Sequence, residues 1–246
     1  MVSKIVNIGN KVEFTRVQSA QKNNENSSLR KKVYVSQVYD IIDETKLKVA
    51  MPIENGHIVA VSTNTRLDAC FYTSKGLYHG RVVVIERMKE NNIYSMIVEL
   101  QYELKKFQRR QYYRLSCTMD LKYRLMEDNE YDDFMMNGRI PDESDIQGLE
   151  DGVALDFSGG GVRFISDKKY NKDDFMYIRL KISYDDRCRI YLLAGRVIAS
   201  AEGKNGMHTY ENRVEFVDLD SKIREEIIKY IFNEERRQRK MDVDFR

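Results

Sequence analysis

Long hydrophobic runs are missing from this 246-residue chain: no stretch approaches the roughly 18 consecutive apolar residues that a membrane-spanning helix needs. The opening MVSKIVNIGNKVEF lacks the apolar core and small-residue cleavage site of a secretory leader, so the cytoplasm is the expected compartment. Cysteine is scarce. Cys70, Cys117 and Cys188 are odd in number and far apart, which excludes a disulfide framework and zinc-ligand spacing and leaves buried structural thiols as the expectation. Histidine is as rare: His57, His79 and His208 are scattered, and no HExxH, GxSxG or GxxxxGKS/T string occurs, so neither an enzyme nor a metal site is expected. Charge of one sign is absent too. Lysines and arginines number 41 against 39 acidic residues, a net charge of +2, and such a balance exerts no general pull toward nucleic acid or membranes. Any anion site must therefore be local.

What is present is a β pattern. Hydrophobic residues make up 42% and charged ones 33%, enough for a core beneath a charged surface, and the length suggests two domains. In the first hundred residues, KVEFT (11–15), KKVYVSQVY (31–39), KLKVAMP (46–52), HIVAVS (57–62), RLDACFYT (66–73), GLYHGRVVVIERM (76–88) and IYSMIVELQY (93–102) follow one another at strand-like spacing. Leu67, Ala69 and Phe71 should face one side, Asp68 and Cys70 the other. The tract QSAQKNNENSSLRKK (18–32) reads as an exposed, mobile loop.

A second β series follows. In RLSCTMDLKYRL, Leu115, Cys117, Met119, Leu121, Tyr123 and Leu125 alternate with Arg114, Ser116, Thr118, Asp120, Lys122 and Arg124, predicting one buried and one wet face. Strand candidates continue at 152–156, 161–166, 175–183, 189–200 and 209–219, with no helical pattern between them, which argues for antiparallel β closing into a barrel or sandwich. Residues 127–151 carry ten acidic side chains and one arginine, and that density predicts a solvated loop holding at most a transient helix. The end changes period: after Asp220 or Ser221 as cap, Ile223, Ile227, Ile228, Ile231 and Phe232 recur at helical spacing, predicting a helix packed on the second barrel.

Two segments carry chemistry. In RRQYYR, Arg110 and Arg114 lie four apart with Arg109 adjacent. Arginine forks offer bidentate donors to phosphate oxygens or a guanine edge, and their flat faces stack on bases. In DFSGGGVRF, Asp156 can accept from paired donors such as guanine N1–H and its 2-amino group, Ser158 adds a hydroxyl, and Gly159, Gly160 and Gly161 allow close backbone approach or positive φ. Taken singly, each has a plain structural explanation, as a charged connection and as a glycine-rich hairpin.

Together they form RxxxR at 110–114 followed by DxSxxG at 156–161 in a β domain, and the chain therefore resembles PilZ domains, receptors for the bacterial second messenger cyclic di-GMP. The stretch from MPIENGHIVAV to ELKKFQRRQYYRL is similar to the amino-terminal barrel of the flagellar brake family, and EFVDLDSKIREEIIKYIFNEERRQRK to the helix that closes its PilZ barrel. The acidic loop at 127–151 departs from the compact family pattern. The resemblance implies an all-β fold with a C-terminal helix, built as two antiparallel β-barrels: a split barrel over residues 1–105 and a PilZ barrel over 106–246, joined by a linker at 103–114. It also implies cyclic di-GMP as the ligand, held by Arg109, Arg110, Arg114, Asp156, Ser158, Gly159, Gly160 and Gly161, with Arg109 pointing to an intercalated ligand dimer. No cofactor is implied. The partner implied is a stator or switch protein of the flagellar motor, with recruitment to the basal body, and ligand binding is expected to change the placement of the two barrels. Two other readings are a cyclic di-GMP effector of a non-motility process, such as exopolysaccharide production or surface behaviour, and an RNA or single-stranded DNA module, against which the near-neutral charge counts.

Overall fold

The computed structural model describes residues 2–17, 32–54, 56–184, 187–203 and 209–244. Most of the polar tract at 18–32 and His208 lie outside these residues. The chain divides into two compact units, Met1–Arg109 and Arg110–Arg246.

The first unit is a closed six-stranded barrel. Its strands are β1 (Lys11–Arg16), β2 (Val33–Ile41), β3 (Lys46–Ala50), β6 (Arg66–Thr73), β7 (Gly76–Glu90) and β8 (Ile93–Leu100), with the short hairpin β4 (Ile53–Glu54) and β5 (His57–Ile58) beside them. The order β6-β1-β2-β3-β8-β7 closes on itself through β6–β7. Every second residue of a strand enters the core: Val12, Phe14, Leu47, Val49, Leu67, Ala69, Phe71, Val82, Val84, Met96 and Val98 are fully buried. Two differences from the sequence pattern have plain causes. The run at 57–62 is extended only over His57–Ile58; beyond it Val59 N–H bonds to Pro52 O and Val61 fills the core without joining a ladder. Conversely, Lys105–Phe107 of the charged connection forms a strand, β9, on the free side of β7, pairing Phe107 with Leu77.

The second unit holds β10 (Arg114–Leu125), β11 (Glu150–Ser158), β12 (Gly161–Ser166), β13 (Phe175–Tyr184), β14 (Arg187–Glu202) and β15 (Tyr210–Phe216), closed in the order β10-β11-β12-β15-β14-β13. The core is more aromatic: Tyr123, Phe157, Phe164, Met176, Ile178 and Leu180 fill it. The last helix, α2 (Ser221–Asp244), seals this barrel with Ile227 and Ile231. Its cap is Asp220, whose Oδ1 accepts from the backbone N–H of Lys222 at 2.8 Å and of Ile223 at 3.2 Å. Phe232 is half exposed and stacks on Tyr113 instead of entering the core.

The acidic segment is a largely exposed loop only in its second part, 138–149; its first part is not. Asp128–Asn137 form a helix, α1, and Phe134 is 2% exposed. The charge count misleads because the compensating cation lies outside the segment: Arg124 of β10 donates from both terminal guanidinium nitrogens to Glu130, at 2.6 and 2.7 Å. Glu130 also accepts the Glu127 N–H at 2.8 Å, closing the first turn. Gly138 ends the helix in the left-handed region, at φ 64°, and Tyr131 and Phe134 pack on Phe175.

The expectation of buried thiols is also corrected. Cys70 and Cys117 are half-buried, and Cys188 is exposed where β14 begins; all three are free. No helix among the described residues is long and apolar enough to cross a membrane.

Candidate ligand-binding site

The hairpin β11–β12 turns through Gly159 and Gly160 alone, so Ser158 pairs with Gly161 and the next pairs follow: Phe157 with Val162, Asp156 with Arg163. On the other side of β11, Arg114 stands opposite Ser158 and Ser116 opposite Asp156. Both ladders slip beside this point, β10 between Ser116 and Met119 and β11–β12 between Ala154 and Asp156. Such bulges bend a strand and re-aim its side chains, and are frequent next to functional sites.

The glycines are required for different reasons. A Cβ on Gly161 would lie 2.2 Å from the Val214 carbonyl oxygen, so this position belongs to the close approach of β12 to β15. A Cβ on Gly160 would meet the Tyr112 ring at 2.9 Å, and one on Gly159 would meet Ile228 at 3.0 Å and the same ring at 3.1 Å. The turn is thus a floor on which Tyr112 rests. Arg224 of α2 holds that ring by donating to its hydroxyl at 3.1 Å, with the guanidinium 5.5 Å from the ring centroid. Ser158 locks the turn: its hydroxyl donates to Gly161 O at 3.2 Å and accepts from Gly160 N–H at 3.3 Å.

The charges around Asp156 form a chain. Arg163 Nε donates to Asp156 Oδ2 at 2.5 Å and Nη1 to Glu211 Oε2 at 2.9 Å, while Arg213 reaches Glu211 Oε1 at 3.2 Å. Burial works against the Arg163 charge, but its bonds to Asp156 and Glu211 prevail and raise its pKa. Arg114 is pushed the other way: burial lowers its pKa first, then the positive field of Arg110, with Asp156 opposing both. The cluster therefore sets four arginines, 110, 114, 163 and 213, against the carboxylates Asp156 and Glu211. It invites an anion.

Of the residues singled out in the sequence, Arg114, Asp156, Ser158, Gly159, Gly160 and Gly161 come together at this hairpin, with Arg110 close enough for its charge to act on Arg114. Arg109 is engaged elsewhere. Its Nη1 donates to the Tyr72 hydroxyl at 2.7 Å and lies 3.6 Å from Glu13 Oε2, on the first barrel. Tyr72 in turn donates to Glu13 at 2.6 Å, and its pKa is pushed up to about 12 by burial and by that carboxylate. Sequence reasoning missed Arg163, Arg213, Glu211, Tyr112 and Arg224. For Arg163 a signal was present: a two-residue turn at Gly159–Gly160 places it directly opposite Asp156.

The arrangement offers guanidinium forks, one oriented carboxylate, a hydroxyl and a ring. Among the described residues no group of histidine, cysteine, aspartate or glutamate is placed to hold a metal ion.

Comparison with known proteins agrees in architecture. The family described as flagellar protein YcgR matches residues 7–100, and the PilZ domain family matches residues 108–233. A search of curated proteins finds no match. Among solved structures, the Bacillus subtilis inhibitor of motility (MotI/DgrA) superposes with a TM-score of 0.71 at 14% identity, covering 95% of this chain and 100% of that one. Escherichia coli YcgR in complex with c-di-GMP gives a TM-score of 0.49 at 12% identity, covering 97% and 89%. At 14% identity the likeness to the inhibitor of motility is one of fold.

Proposed function

Because the chain belongs to the PilZ domain family, with an amino-terminal domain of the flagellar protein YcgR kind, we propose that it is a receptor for cyclic di-GMP that acts on flagellar motility through a protein partner. The observation that carries this reading is the register of the second barrel, which puts Arg114 opposite Ser158 and Asp156 two pairs further along, opposite Ser116. Cyclic di-GMP joins two guanines and two phosphates in a closed ring, so a receptor needs forks for the phosphates and acceptors for the guanine edge. Arg110 and Arg114 supply the forks. Asp156 accepts from guanine N1–H and the 2-amino group, and Ser158 adds its hydroxyl. The role proposed is binding, without turnover.

Arg109 is the extra fork for a second, intercalated ligand, since a stacked pair brings four negative charges. To serve there its guanidinium exchanges Tyr72 and Glu13 for phosphate oxygens. Capture of Arg109 and Arg110 then fastens the connection between the barrels to the ligand, and differential affinity for that arrangement shifts the interdomain population. The partner proposed is the motor's stator or switch, reached at the basal body; a cyclic di-GMP effector of exopolysaccharide production or surface behaviour would share the site and differ in the partner.

Calorimetric titration tests the core of this reading. Cyclic di-GMP should bind with two ligands per chain while GTP and cyclic AMP do not; absence of binding overturns the receptor assignment, and saturation at one overturns the dimer. Superimposable scattering profiles with and without saturating ligand would remove the reorientation. Swimming unchanged by gene deletion and by Arg114→Ala would remove the motility role alone.

A further inference from the structure

Asp156 sits between two cations with different claims on it. Arg163 binds its Oδ2 at 2.5 Å, whereas Arg114 acts on it through its field. The carboxylate side chain is 15% exposed, and Arg163 is itself tethered by Glu211 Oε2 at 2.9 Å, so the three side chains form a cross-strand relay over β11, β12 and β15. One oxygen of Asp156 is thereby committed on the side of β12. A carboxylate without that tether, beside an arginine that has a second arginine near it, would be drawn onto Arg114. It would then occupy the fork that a phosphate needs and turn away from the base.

We infer that Arg163 is a positioning and specificity-determining residue: by holding Asp156 toward β12 it keeps the Arg114 fork open and aims the carboxylate at a guanine edge, and Glu211 fixes Arg163 for that task. The inference rests on the cyclic di-GMP reading above. Its chemical content is a selectivity. Guanine offers two adjacent donors, N1–H and the 2-amino group, whereas adenine offers at the same place the lone pair of N1, which a fixed carboxylate repels. A carboxylate free to rotate distinguishes the two poorly.

The test is calorimetric titration of the full chain with cyclic di-GMP and with cyclic di-AMP, for wild type, Arg163→Gln, Arg163→Lys and Glu211→Gln, with melting temperatures measured alongside. Arg163→Gln should weaken cyclic di-GMP binding by roughly tenfold and narrow the preference for it over cyclic di-AMP by a similar factor, the scale of one charge-assisted hydrogen bond. Arg163→Lys, which restores the charge next to Asp156, should recover most of both. Glu211→Gln should narrow the preference by a smaller factor and carries the test if Arg163→Gln does not fold. A merely structural role would lower the melting temperature while leaving the ratio of the two ligands intact. A wild-type ratio in folded Arg163→Gln, or in Glu211→Gln should that variant alone fold, overturns the inference with the receptor reading intact. Failure of the wild-type protein to bind cyclic di-GMP removes both.

Discussion

The two barrels each carry a cluster of arginine, carboxylate and tyrosine on the outside, and the clusters differ in how far they are closed. On the first barrel Glu13 is satisfied on both oxygens: Lys11 lies 2.7 Å from Oε1, and the Tyr72 hydroxyl and Arg109 address Oε2. Lys11 and Arg109 also lie over the Tyr72 ring, at 4.7 and 5.2 Å. On the second barrel Asp156 and Glu211 are bonded to Arg163, while Arg114 acts on Asp156 through its field and has its own pKa lowered by desolvation and by Arg110. A closed cluster contributes to stability. A cluster with a less tightly paired arginine of shifted pKa is a candidate site for an anion. Cations outnumber carboxylates two to one in both clusters, Lys11 and Arg109 to Glu13 and four arginines to Asp156 and Glu211, so what differs is where the cations stand and not their number.

That comparison can be broken most severely at the turn that aligns the second cluster. Gly161→Ala places a methyl against the Val214 carbonyl oxygen; it should cost about 1–3 kcal/mol of stability or more and, by shifting β12, lose ligand binding as well. Thermal unfolding together with calorimetry checks it, and a stable variant that binds normally would show that the hairpin register does not matter.

Arg114→Ala separates binding from folding. We expect about 1.5–3 kcal/mol lost in cyclic di-GMP affinity, with a melting temperature little changed, since Arg114 is exposed. A clear drop in melting temperature would class the second cluster with the first.

Tyr72→Phe should do the reverse. Removing the hydroxyl that links Arg109 to Glu13 should cost about 1 kcal/mol of stability, without lowering ligand affinity. Loss of affinity in this variant would mean that Tyr72 itself, and not Arg109 alone, belongs to the binding machinery.

The smallest effect is in pH dependence. Tyr72 has its pKa raised to about 12, so its contribution is complete below the ordinary tyrosine value and is lost as pH rises from about 10 toward 12. Glu13 is displaced downward despite its burial, by its bonds to Lys11 and Tyr72, so its contribution is present above the ordinary glutamate value and fades as pH falls through the lower folded one. Melting curves of wild type against Glu13→Gln should therefore differ near neutrality and converge in acid; a constant difference would contradict the assignment.

Much of this was legible in residue order, because strand alternation and glycine spacing are local. Leu67, Ala69 and Phe71 enter the core as their period requires, Asp220 caps the last helix, and RxxxR with DxSxxG marks the segments that meet at the β11–β12 turn. Length, charge balance and the scarcity of histidine and cysteine depend on composition alone, so they too were open to reading. Tertiary structure decided what depends on partners distant in sequence. Arg124 turns an acidic tract into a helix by reaching Glu130 from a strand outside it. Val214, brought in by β15, is the reason Gly161 can carry no side chain. Tyr112 finds Arg224 across 112 residues. Arg109 and Arg110 are neighbours in the chain, yet Tyr72 and Glu13 claim the first while the second acts on Arg114. Pattern assigns a residue to a face; only the closed ladders determine which charge from another strand stands beside it, and that neighbour sets what the residue does.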